Sequence, residues 1–209
     1  MNRGTVAALR DLVPLHPLNR FELMSLADRQ AERLLELSGL KGPAVPDRLI
    51  TELPRVQVER YSPLPVSGMT SWVDGRWLVV LNGAEPPVRQ RFSLFHEAKH
   101  IIDSRFIKLM YQDFPPHERL ALIEQMCNRF AGCVLVSRPW LEEAWHSGMR
   151  ELPQLANRFD VSQAAIQVRL SQIGLSRGTP RCAGPSNAWL AAVTKANKAH
   201  RERTAITTT

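Results

Sequence analysis

His96, Glu97 and His100 stand in the order H-E-x-x-H within the stretch FHEAKHIID. On a helix, residues four apart project from one face about one turn apart, so two imidazoles can address a single cation at about 2.0 to 2.1 Å from each nitrogen. Glu97 follows the first histidine and therefore stands beside that cation and not on it, the place for a general base acting on a metal-held water. Shuffled chains of this composition contain the pattern about once in a hundred cases, so the spacing favours a metal site over coincidence without establishing one.

A catalytic metal needs a third protein ligand and an open fourth position. Glu124, in IEQMCNRFAG, is the favoured candidate. It lies at the border of an apolar helical face with Leu120, Ile123 and Cys127, where a carboxylate needs a buried partner. His117 and Asp103 are the competitors; His117 follows two prolines, and Asp103, one turn beyond His100, is better placed to orient that histidine than to bind metal. Asn128, one turn after Glu124, can accept the Nδ1 proton of a ligating imidazole and so fix its tautomer. Two imidazoles and a carboxylate suit Zn2+ best, without excluding manganese or iron. Tyr111, His117 and His146 are possible donors to a developing oxyanion, and spacing does not choose among them.

Several elements must position these groups. From Phe21 to Leu37 apolar residues recur at three- and four-residue spacing, predicting an amphipathic helix ended by Gly39. Arg48 to Leu53 reads as a short helix and Val56 to Tyr61 as a strand. GMTSWVDGRWLVVLNG reads as a hairpin turning at Asp74-Gly75. A helix after Pro86-Pro87 carries the histidine pair, and a second, from about His117 to Val136, carries Glu124 and Asn128. Between Glu151 and Leu175 two short helices flank an FDVS turn, with Ser162 as cap of the second. Residues 1–20, with no clear period, are expected to form a loosely attached arm, and a helix is possible from Asn187 to Lys198.

The chain has 209 residues, 44% hydrophobic and 22% charged, enough to bury a core as one compact domain or one domain with a small appendage. No apolar run approaches the roughly 20 residues of a membrane span, and Arg10 and Asp11 break the short apolar run at the N-terminus, so neither a span nor a signal peptide is expected. Cys127, Cys133 and Cys182 are odd in number and lack C-x-x-C spacing, which suits reduced thiols and a cytoplasmic location. Of the formal charge of +7, the segment from Ser176 onward supplies +5. The excess is thus a basic tail and not a nucleic-acid-binding face.

Taken in order, SWVDGRWLVVLN, RQRFSLFHEAKHIID, EQMCNRFAGCVLVSRPWL and LANRFDVSQAAIQVRL resemble the ImmA/IrrE family of zinc metallo-endopeptidases, from about Ala27 to Leu175. The resemblance implies an α+β, mainly helical fold: a zincin-like metallopeptidase core with a small antiparallel sheet and a helix-turn-helix-like C-terminal module. On that basis the chain divides into an arm (1–20), a metallopeptidase domain (21–148), the module (149–176) and a basic tail (177–209). It also implies His96, His100 and Glu124 as zinc ligands, Glu97 as catalytic base, and site-specific cleavage of a small DNA-binding transcriptional repressor of a mobile element, prophage or stress-response operon. The strand Trp77 to Leu81 is a candidate for pairing with an extended substrate. Lys99 stands where many members carry glycine and is expected to alter charge and shape near the cleft; Ser137-Arg138 replaces a usual apolar pair.

Two other readings compete. A DNA-binding regulator would use LANRFDVSQAAIQVRL as its reading head, but charges between Glu151 and Leu175 cancel and leave no stripe for phosphates. A protein-interaction module with a residual metal site would have no use for a base at Glu97 and would close its fourth position with another protein ligand.

Overall fold

In the computed structural model, which describes residues 4–176, the order along the chain is α1 (Gly4–Arg10), α2 (Arg20–Ser38), α3 (Arg48–Thr51), β1 (Val56–Tyr61), β2 (Gly68–Val73), β3 (Arg76–Asn82), α4 (Pro87–Asp103), α5 (Ile107–Met110), α6 (Pro116–Leu135), α7 (Arg138–His146), α8 (Leu152–Phe159) and α9 (Gln163–Gln172). Local chemistry sets the ends of α2. Asn19 accepts from the Glu22 amide while the Glu22 carboxylate accepts from the Asn19 amide, and Gly39 stops the helix in the left-handed conformation at φ 66°. Its stripe of Leu23, Leu26, Ala27, Ala31 and Leu34 is buried against α6. Each large side chain so buried contributes about 1.5 to 3 kcal/mol.

The sheet is small and mixed, in the order β1-β3-β2. β2 pairs antiparallel with β3 through a two-residue turn in which Asp74 and Gly75 both take positive φ, the geometry a tight hairpin requires. β1 pairs parallel with β3 from Val56 against Trp77 to Tyr61 against Asn82. The expectation of an antiparallel sheet is therefore corrected, because the chain crosses from β1 past β2 before returning to its centre. A second correction follows. Trp77 to Leu81 lies in the central strand, whose backbone is paired on both sides, so no peptide can add there; β2 carries an edge with no strand partner among the described residues.

α4 runs through the middle of the molecule, with the sheet on one side, α6 on another, and α1 and α2 near its end. Residues before α2, expected as a loose arm, are part of the core: Leu9, Val13 and Leu18 are buried. Arg10 explains their attachment. Its guanidinium donates to the carbonyls of Ile102 (2.9 Å) and Ile101 (2.7 Å), satisfying acceptors that the end of α4 leaves without intrahelical partners.

The α8–α9 pair is joined to the same core through Leu155, Phe159, Ile166 and Leu170. Asp160 turns between the helices at φ 52°, and Ser162 caps α9 by accepting from the Ala165 amide. Two buried arginines fasten it. Arg91 of α4 donates to the Asp160 carbonyl and carboxylate and to the Val45 carbonyl, and Arg169 donates to the Val136 carbonyl at 3.0 Å. Cys182, the basic tail and the helix expected from Asn187 lie outside the described residues. No helix among the described residues is long and apolar enough to cross a membrane.

Lys99 is 1% exposed and donates to both Asp103 and Gln30, whose amide in turn donates to the Leu9 carbonyl. It faces α2 and not the cleft, because one residue along a helix turns the side chain by about 100° from the neighbouring His100. Breaking a buried ion pair leaves an uncompensated charge, whereas removing both partners does not. Lys99→Met is therefore expected to lower unfolding stability by about 3 to 5 kcal/mol in urea titrations, and Lys99→Met combined with Asp103→Leu to recover most of that loss. Equal losses for the single and double variants would contradict the account.

Candidate metal centre

Periodicity sends His96 and His100 towards α6 and Glu97 towards the sheet. The two imidazoles meet edge to face with ring centroids 5.1 Å apart and Nε2 atoms 3.2 Å apart. From α6, Glu124 directs Oε2 at His96 Nε2 (3.1 Å) and Oε1 at His100 Nε2 (3.4 Å). Glu124 is 4% exposed and His96 is 9% exposed. One turn after Glu124, Asn128 Oδ1 accepts a hydrogen bond from His96 Nδ1 at 3.0 Å. An amide oxygen accepts only, so His96 Nδ1 carries a proton and Nε2 is the nitrogen turned into the centre.

Two imidazole nitrogens and a carboxylate aimed at one buried spot repel unless a positive charge lies between them. A proton can supply part of that charge. Burial pushes the Glu124 carboxyl up, but hydrogen bonds and charge from His100 and His96 outweigh it and hold the pKa down at about 2. For His100 burial opposes the charged form, yet Cys127, Glu124 and Glu97 prevail and raise its pKa well above the ordinary value. This donor set fits a divalent cation bound by nitrogen and oxygen.

Glu97 lies on the β2 side of the three converging groups, near enough for its charge to act on His100. Its Oε2 accepts from Thr70 Oγ1 at 2.7 Å, so β2 holds the carboxylate beside the centre. Gly68, also on β2, makes room for it: a Cβ there would stand 3.2 Å from Glu97 Oε1 and 3.3 Å from its Cγ.

Asp103, expected to orient His100, is instead committed to Lys99 and Gln30 on the α2 side of α4. His117 stands exposed at the start of α6 beside Glu118, and His146 ends α7 bonded to the Glu142 carbonyl. Tyr111 is buried, and burial with nearby Asp103, Cys127 and Glu124 raises its pKa further. The group not foreseen is Cys127. Read from its apolar setting as a core thiol, it is buried and free, and its Sγ together with one nitrogen from each of His96 and His100 lie within 4.8 Å of one another. The signal was present in its place three residues after Glu124 and beside Asn128, on the same face of α6.

Residues 55–171 match the Peptidase M78 family, described as the IrrE N-terminal-like domain. Among curated proteins the chain is 28% identical over 156 residues to the radiation response metalloprotease IrrE of Deinococcus radiodurans, covering 67% of this chain and 45% of that protein. Its fold is similar to that of a Mycobacterium tuberculosis transcriptional regulator, with a TM-score of 0.59 and 21% identity over 86% of this chain and 54% of the other. The chain thus spans about half the length of the relatives it matches.

The packing of Gly68 against Glu97 can be tested directly. A methyl group at 3.2 Å must displace the carboxylate by a few tenths of an ångström. Gly68→Ala is expected to leave metal content and the unfolding midpoint close to those of the unaltered chain while lowering any hydrolytic turnover about 10-fold or more, the cost of misplacing a group that serves as base, the role the sequence leads one to expect of Glu97. Unchanged turnover would show that the position of Glu97 is not critical.

Proposed function

The chain belongs to the Peptidase M78 family of IrrE N-terminal-like domains, a family of metallopeptidases, and from that premise we propose that it is a zinc-dependent endopeptidase that cleaves a partner transcriptional repressor. The observation that carries this reading is the convergence of His96, His100 and Glu124 on one buried point with the Glu97 carboxylate, held by Thr70, alongside. His96, His100 and Glu124 would hold the metal, which when bound supplies Lewis acidity towards a scissile carbonyl and acidifies a water.

The remaining steps belong to side chains. Glu97, oriented by the Thr70 hydroxyl, takes the proton of the attacking water and delivers it to the leaving amine. Asn128 keeps the His96 tautomer that presents Nε2 inward. The free edge of β2, which carries Thr70 and Gly68 past Glu97, is the surface on which an extended peptide can add as a strand. A protein substrate suits this edge better than a compact small molecule.

Direct DNA reading has less support. The exposed positions of α9 include Gln163, Ala164 and Gln167, all uncharged, and its arginine, Arg169, is buried and bonded to the Val136 carbonyl. Phosphate contacts need exposed cations.

Elemental analysis of purified protein is expected to find about one zinc per chain in the unaltered protein and in Glu97→Gln, and less in Glu124→Ala. A partner repressor cut by the unaltered chain should be cut by Glu97→Gln about 100- to 10,000-fold more slowly. Loss of zinc in Glu97→Gln would make that residue a ligand and not a base, and absence of metal from all three proteins would remove the peptidase reading.

A further inference from the structure

We propose that Cys127 is a fourth protein ligand at this centre, its sulfur joining His96, His100 and Glu124 to close the metal site while no substrate is bound. The inference rests on the metal-centre reading above and goes beyond it, since an open position is what a catalytic zinc keeps and a closed one is what a structural zinc has.

The placement supports it. Glu124 and Cys127 are three residues apart on α6 and therefore share its α4-facing side, where both are buried. The sulfur and a nitrogen from each histidine already lie within 4.8 Å of one another before any ion draws them together. Ligand atoms of a tetrahedral zinc with bonds of about 2.0 to 2.3 Å are separated by roughly 3.3 to 3.6 Å. Closing that difference needs about an ångström of movement among Cys127 and the two histidines, to which Glu124 already stands at 3.1 and 3.4 Å.

The other described thiol provides a contrast. Cys133, six residues further along α6, donates to the Asp28 carboxylate at 3.1 Å and so has a structural partner of its own. Among the described residues no carboxylate is recorded accepting from Cys127, whose thiol interacts with His100 and Glu124 of the metal centre as well as with Lys99. Soft thiolate also raises preference for zinc over manganese, which two imidazoles and a carboxylate alone leave open.

Closure has a functional consequence. With four protein ligands in place, a substrate carbonyl or a water reaches the metal only when one ligand withdraws. Cys127 is the one whose loss leaves the two-imidazole, one-carboxylate set intact. The protein would then be latent at rest and opened by substrate or partner.

Cobalt-substituted protein tests this with a readout independent of turnover. The unaltered chain and Cys133→Ser are expected to show a sulfur-to-cobalt charge-transfer band in the near ultraviolet, and Cys127→Ser, which nearly preserves side-chain volume, to lack it. Acetohydroxamate, added as a small metal-binding probe, should perturb the visible cobalt spectrum of Cys127→Ser at concentrations about 10-fold or more below those needed for the unaltered chain. Cobalt bound to the unaltered chain without a sulfur band overturns the inference and leaves the peptidase reading standing. No cobalt or zinc bound to the unaltered chain overturns both.

Discussion

Three electron-pair donors aimed at one point from two different helices form an arrangement that cannot be neutral to its surroundings. His96, His100 and Glu124 bring lone pairs within 3.1 to 3.4 Å of each other in a buried space between α4 and α6. Left alone they would push the helices apart or capture protons, as the opposed shifts of His100 and Glu124 show. The packing of α6 on both α4 and α2 therefore holds together a centre that, without a cation, works against it. Stability and function meet here, because the same electrostatic repulsion that a cation relieves is what gives that cation its affinity.

The helical repeat of α4 distributes three kinds of work over its three faces. Positions 96 and 100 address α6, position 97 addresses β2, and positions 99 and 103 address α2 and the chain before it. Each polar side chain finds a partner on its own side, which is how a helix rich in His, Glu, Lys and Asp lies at the centre of the fold. Lys99 illustrates the separation. Adjacent in sequence to a candidate ligand, it is bonded to Asp103 and Gln30 in the core.

Much of this was legible in the residues themselves. Period 3.6 located α2, α4 and α6, and alternation with an Asp-Gly turn located β2 and β3, since these depend on near neighbours. Glu124 and Asn128 stand out because a carboxylate and an amide on an otherwise apolar helical face need buried partners. What could not be read depends on distant contacts. The strand order that puts β3 in the middle, and the anchoring of α1 by carbonyls at Ile101 and Ile102, leave no local pattern. Cys127 was missed for a different reason: a buried cysteine in an apolar stripe looks alike whether its sulfur meets leucine or imidazole. Asp103 was misread because helical spacing says which residues are one turn apart, and not that Lys99 competes for the same carboxylate.

The contacts that complete α4 come from far away in the chain. Arg10 reaches back from 91 and 92 residues earlier, Gln30 from 69, and Asn128 from 32 residues later. Such closures are slow, and during synthesis they must wait for their later partner to leave the ribosome. A nascent chain that has just exposed His96 and Glu97 has neither Glu124 nor Asn128, so it carries the motif without the centre. The convergence of these side chains arrives late in translation, after α6 has docked on α4.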